Sequence, residues 1–196
     1  MKSAVGSKHS LHYVAVSTQP GTRIRLLCDV AQGRGIQKIT VTHGRLTGPA
    51  DVIVYRKIVF LRGNAFTMRV FFGFSPKQAN TFAGQWIFIP HSSPAFAPIA
   101  DGATFQSFVA SLFPPNQLSL VTAGKLVGVR GTGQHEGVTV DETVFAPDRG
   151  SPLPVKKTAS YPGHVGTNRL TMSHWNKAVQ VSVPANAVPI AVVTGG

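Results

Sequence analysis

The chain has 196 residues, 43% of them apolar, enough for the core of one domain and too many for a disordered segment. Its net charge is +12, carried unevenly: residues 1–100 hold twelve Lys/Arg against two acids, residues 101–196 seven against five. One cysteine, Cys28, excludes an intrachain disulfide and a cysteine-based metal site, and no run approaches the roughly 20 apolar residues of a membrane-spanning helix.

Residues 10–17 predict a first strand. Residues 22–32 predict a second, half-buried one, with Ile24, Leu26, Cys28 and Val30 on one face and Arg23, Arg25 and Asp29 on the other. After a turn at Gln32–Gly35, residues 36–43 predict a third strand, with Ile39 and Val41 inward and Lys38 outward. Residues 51–55 and 58–62 predict a hairpin turning at Arg56-Lys57. Asn64 is placed to cap a short helix over 65–72, and Ser75-Pro76 to open a second one running to Phe82. Residues 85–89 return to strand. Phe105, Phe108 and Leu112 stand at helical spacing in a helix over 103–113 that Pro114-Pro115 stops. Strands are expected at 117–122, 124–131, 137–145, 153–160, 166–173 and 178–183. Strands, then helices, then strands predict one α+β domain over 1–196 with a mainly antiparallel sheet.

Catalytic constellations are missing. Asp141 and Glu142 are adjacent acids, and on a strand they point to opposite faces, which is unsuited to paired acid–base work. There is no G-x-S-x-G and no H-E-x-x-H. Gly131-Thr132-Gly133, beside His135-Glu136, lacks the third glycine and the helix of a dinucleotide fingerprint. His9, His12, His43, His91, His164 and His174 are scattered and read as surface residues. A non-catalytic protein without cofactor or metal is expected. No strand has the aromatic platform that stacks bases, so no specific nucleic-acid partner is expected. The basic residues Arg23, Arg25 and Lys38 suit an anionic membrane surface, or simply a solvated face. The aromatics of residues 66–113 fit either an ordinary core or the lining of an apolar cavity under short helices.

Residues 58–90, IVFLRGNAFTMRVFFGFSPKQANTFAGQWIFIP, resemble the LppX/LprG group of actinobacterial lipoproteins and their LolA-like relatives. The likeness lies in Phe60, Gly63 and Asn64 leading into helices, then in Ala83, Gly84, Trp86, Ile87 and Pro90 at the next strand. Ser151–Val155 and the Gly-rich turn after Asp29 are similar as well. The resemblance implies a strongly curved, half-barrel sheet with short helices on its concave face. It also implies an extracytoplasmic carrier of lipid or of an acylated protein. No lipobox precedes Cys28, so any anchoring segment is expected upstream of Met1. The apolar ligand is expected between the sheet residues Leu26, Val52, Val54 and Phe60 and the helix residues Phe72, Phe105, Phe108 and Leu112. Trp86 is expected buried beneath the helices. The alternative is an envelope interaction domain of the same fold with a filled core.

Overall fold

A computed structural model of the chain describes every residue except 136, 162, 164, 165 and 196, and the side chain of residue 135. Glu136, His164 and the His135 side chain therefore lie outside the described residues. A short helix α1 (Lys2–Gly6) leads into a run of hairpins: β1 (Ser10–Gln19), β2 (Thr22–Ala31), β3 (Arg34–His43), β4 (Leu46–Tyr55) and β5 (Ile58–Gly63). Then come α2 (Ala65–Val70), α3 (Pro76–Phe82), β6 (Ile87–Pro90), α4 (Phe96–Ala100) and α5 (Phe105–Ala110). Strands β7 (Asn116–Ala123), β8 (Leu126–His135), β9 (Val138–Pro147), β10 (Lys156–Ser160) and β11 (Thr167–Ser173) follow, and β12 (Val188–Pro189) and α6 (Ile190–Thr194) close the chain.

All twelve strands form one open sheet in the order β12-β6-β5-β4-β3-β2-β1-β11-β10-β9-β8-β7. Among the described residues every strand pairing is antiparallel except the two-residue β12–β6 contact. The architecture is α+β, a curved half-barrel of antiparallel strands lined by short helices. Each of α1–α6 contributes a buried residue to one of two clusters on a single face of the sheet. That face is called the helix face below, and the opposite one, which carries none of these helices but still buries Ile53 and Phe60, the bare face.

Local chemistry explains the helix starts. Asn64 Oδ1 accepts from the Thr67 amide at 2.9 Å, while Ser75–Gln78 and Thr104–Ser107 form reciprocal capping boxes. The β4–β5 turn holds Arg56 and Lys57 at φ of 48° and 67°, the twist a two-residue hairpin turn requires.

Three expectations are corrected. Strand β4 begins at Leu46 rather than 51, because Pro49 lies beyond the end of the β4–β5 ladder at Ala50–Gly63, where its missing N–H costs no pairing. The expected helix over 103–113 is confined to Phe105–Ala110. Residues 178–183 are not a strand: β11 is already paired on both sides, by β1 and β10. The chain must instead travel to β12 at the far edge, seven strand spacings or roughly 34 Å away, which demands an extended path. Helices α4 and α6 and strand β12 were not legible in the hydrophobic pattern.

Candidate functional site

The register assembles the helix face row by row. One continuous row crosses the sheet: Leu120, Val129, Val144, Lys157, Leu170, Ala15, Leu26, Ile39, Ala50 and Gly63. The expected ligand residues divide between the two clusters along it. Val52, Val54 and half-buried Phe72 belong to the cluster under α2–α4 and α6, and Phe105, Phe108 and Leu112 to the cluster under α1 and α5. Leu26 packs against both. Of these residues Val52 and Leu112 are each 1% exposed, whereas Leu26 and Phe72 are half-buried. Val59, Leu61, Met68 and Ile87, in the same cluster as Val52, are 0% exposed.

Phe60 is a correction. It stands across from Ile53 and Phe88 while Val59 and Leu61 face the helices, so alternation puts Phe60 on the face away from the helices, where it and Ile53 are nevertheless buried. Trp86 is a second correction. It is half-buried, with the Arg62 guanidinium 4.6 Å from its ring centroid, rather than sealed beneath α2 and α3. A cleft of about 230 Å³ does lie beside those helices, lined by Leu46, Ala65, Phe66, Arg69, Pro76, Ala79 and Asn80. None of the expected ligand residues lines it.

Two polar constellations interrupt the apolar face. Tyr13 and Cys28, members of the cluster under α1 and α5, are cross-strand neighbours in a row that Gln37 continues. Tyr13 Oη donates to the Gly102 carbonyl at 2.8 Å and accepts from Gln37 Nε2 at 3.3 Å. Burial pushes the Cys28 thiol up to about 12, partly opposed by the neighbouring Tyr13 hydroxyl, and burial followed by Cys28 raises the Tyr13 hydroxyl well above its ordinary value. The second constellation sits nearer β7. Lys157 Nζ lies 2.7 Å from Glu142 Oε1 and donates to the Ser111 carbonyl at 2.6 Å, below the end of α5. Asn168 Oδ1 is buried on the same side without a hydrogen-bond partner among the described residues.

Past Lys157 the helix face opens. Exposure climbs along one row from 0% at Val144 to 88% at Leu120, and Leu118 and Val127 beside it are 53% and 39% exposed. The sequence does not mark this shelf, because its strands read as ordinary alternation and nothing in the spacing shows where helices stop covering a sheet.

Arg23, Arg25 and Lys38 do come together, exposed on the bare face. Arg62, Arg130, Lys156 and Arg169 share that face, opposed by Asp29, Asp51 and Asp141. Asp141 and Glu142 face opposite ways, the former to Arg130 at 3.4 Å and the latter to Lys157. Among the described residues no group of three or more His, Cys, Asp or Glu could hold a metal ion, and no helix is long and apolar enough to cross a membrane.

No protein-family model and no curated protein matches the chain. Among solved structures, the crystal structure of the Mycobacterium tuberculosis lipoprotein LppX is similar at 15% sequence identity, covering 92% of this chain and 93% of that one with a TM-score of 0.48.

Proposed function

We propose that this chain is a non-catalytic, extracytoplasmic domain that holds a lipid acyl chain, free or attached to a protein, on the open end of its helix face. The observation that carries the reading is the shelf of Leu118, Leu120 and Val127, an apolar surface continuous with the buried core at Val144. Solvated apolar side chains grouped on one sheet face gain roughly 25 cal/mol for each Å² a guest removes from water. Leu26, Val52, Val54, Phe72, Phe105, Phe108 and Leu112 then belong to the packed clusters further along the sheet rather than to the surface that touches the guest. The exposed Arg23, Arg25 and Lys38 on the opposite face suit contact with an anionic membrane, each contributing about 1 kcal/mol near such a surface.

A second reading, an envelope interaction domain with a filled core, is favoured by the near-zero exposure of Val52 and Leu112. One experiment separates the two. Native mass spectrometry and lipid extraction of protein purified from its own host should reveal a bound lipid, and a Leu120→Ser variant should retain several-fold less of it at unchanged stability. Protein that carries no lipid and takes up none from vesicles would establish the interaction domain instead.

A further inference from the structure

We infer that the bare face carries a separate site, a groove across β8–β11 that binds a phosphate ester. The groove is about 390 Å³, and its lining includes Arg130, Thr143, Thr158 and Arg169. Those four residues are direct neighbours in one cross-strand row, Arg130–Thr143–Thr158–Arg169. With strands about 4.8 Å apart, the two arginine backbones stand roughly 14 Å from each other. Both side chains line the same groove, and the two threonine hydroxyls lie between them.

The charge is unbalanced in favour of an anion. Arg130 meets Asp141 at 3.4 Å, looser than the 2.7 Å Arg62–Asp51 pair on the same face. Arg169 has no ion-pair partner among the described residues. Lys156 stands at the margin, 5.6 Å from the Phe145 ring centroid. Phe145 lies low over Gly128, where a Cβ would meet its ring at 2.8 Å, so the aromatic walls the groove without filling it.

A tetrahedral oxyanion matches this donor set better than a carboxylate does. Its oxygens can accept from two guanidinium forks and from hydroxyls at once, whereas one carboxylate is satisfied by a single fork. The register of four hydrogen-bonded strands, rather than a loop, sets the positions of the donors, so little order is lost on binding. The groove is larger than phosphate alone needs and has room for the organic part of an ester. That ester could be a lipid headgroup or a soluble phosphate, and the chemistry recognised is the same.

Calorimetric titration of the full chain with inorganic phosphate and with glycerol 3-phosphate tests the site. Saturable one-to-one binding is expected. Arg169→Ala and Arg130→Ala should each weaken it about tenfold or more, the loss of a charge-assisted contact. Asp141→Asn should tighten it several-fold by releasing Arg130, a sign that a merely structural role for Asp141 would not produce. Arg149→Ala, on an exposed segment outside the groove, should bind as the native chain does. Should an arginine variant fail to fold, Asp141→Asn and Thr158→Val carry the same test. Vesicles of phosphatidylglycerol against phosphatidylcholine then separate the sources. A parallel loss of vesicle binding in Arg169→Ala assigns the site to a headgroup, and unchanged vesicle binding assigns it to a soluble ester. Absence of saturable phosphate binding, or variants at Arg169 and Asp141 that titrate like the native chain, would overturn the proposal.

Discussion

Lys157 and Glu142 form a 2.7 Å ion pair on the helix face, and the same ammonium donates to the carbonyl of Ser111, so one buried charge ties β9, β10 and the end of α5 together. Removing one partner strands the other where water is scarce. Glu142→Gln or Lys157→Met should each cost about 3 kcal/mol in urea unfolding. The double variant Lys157→Met/Glu142→Leu should recover most of that loss, because an apolar pair leaves no uncompensated charge. Additive single losses would show that the two residues act separately.

Cys28 should be inert. Its thiol is fully buried and pushed up to about 12, so a disulfide reagent at pH 8 should leave the native protein unlabelled and react once it is unfolded. The same shift has a stability consequence. The unfolded thiol ionises near its ordinary value, about 8.5, while the folded thiol keeps its proton. The stabilisation is therefore fully present below about pH 8.5 and is lost as pH rises toward 12. Unfolding midpoints of the native chain should fall more steeply above pH 9 than those of Cys28→Ala.

Gly35 is one point where the 100–104 segment touches the sheet, beside the Tyr13–Gly102 hydrogen bond. A Cβ at this position would overlap the carbonyl oxygen of Ala103. Gly35→Ala should destabilise the domain by about 2 kcal/mol and raise amide exchange in residues 100–104, where Ala103 and Gly102 anchor α5 and Tyr13. Exchange that rises evenly over the chain instead would mean the contact is not local.

Trp86 and Ile87 are adjacent and should behave differently. Ile87 is buried in the core cluster, and Ile87→Ala should cost about 3 kcal/mol. Trp86 is half-buried against Arg62, and Trp86→Ala should cost about 1 kcal/mol despite deleting the larger side chain. Equal shifts in the urea midpoint would put both residues in the core.

Alternation was enough to orient β2 and β3. A period of two in the residues sends Ile24, Leu26, Cys28 and Val30 to one face and Arg23, Arg25 and Lys38 to the other, because neighbouring side chains on a strand must diverge. Asn64, Ser75 and Pro76 marked helix starts for an equally local reason: a side-chain oxygen within three residues of an unsatisfied amide can cap it, and a proline at the first helical position gives up no hydrogen bond. Phe60 shows where local reading fails. In the apolar run Ile58–Leu61 every residue looks inward, and only the pairing with β4 and β6 puts Val59 and Leu61 under the helices and Phe60 opposite Ile53. The functional surfaces are of this second kind. Arg130 and Arg169 are 39 positions apart in the chain, yet they line one groove because three strand pairings align them. Leu120 is exposed while Val144, in the same row, is sealed, because α5 ends at Ala110 and β7 is an edge strand. Which face a residue takes is a property of the strand it sits in, whereas what covers that face and which charges meet on it depend on contacts between distant segments, and those only the tertiary structure decided.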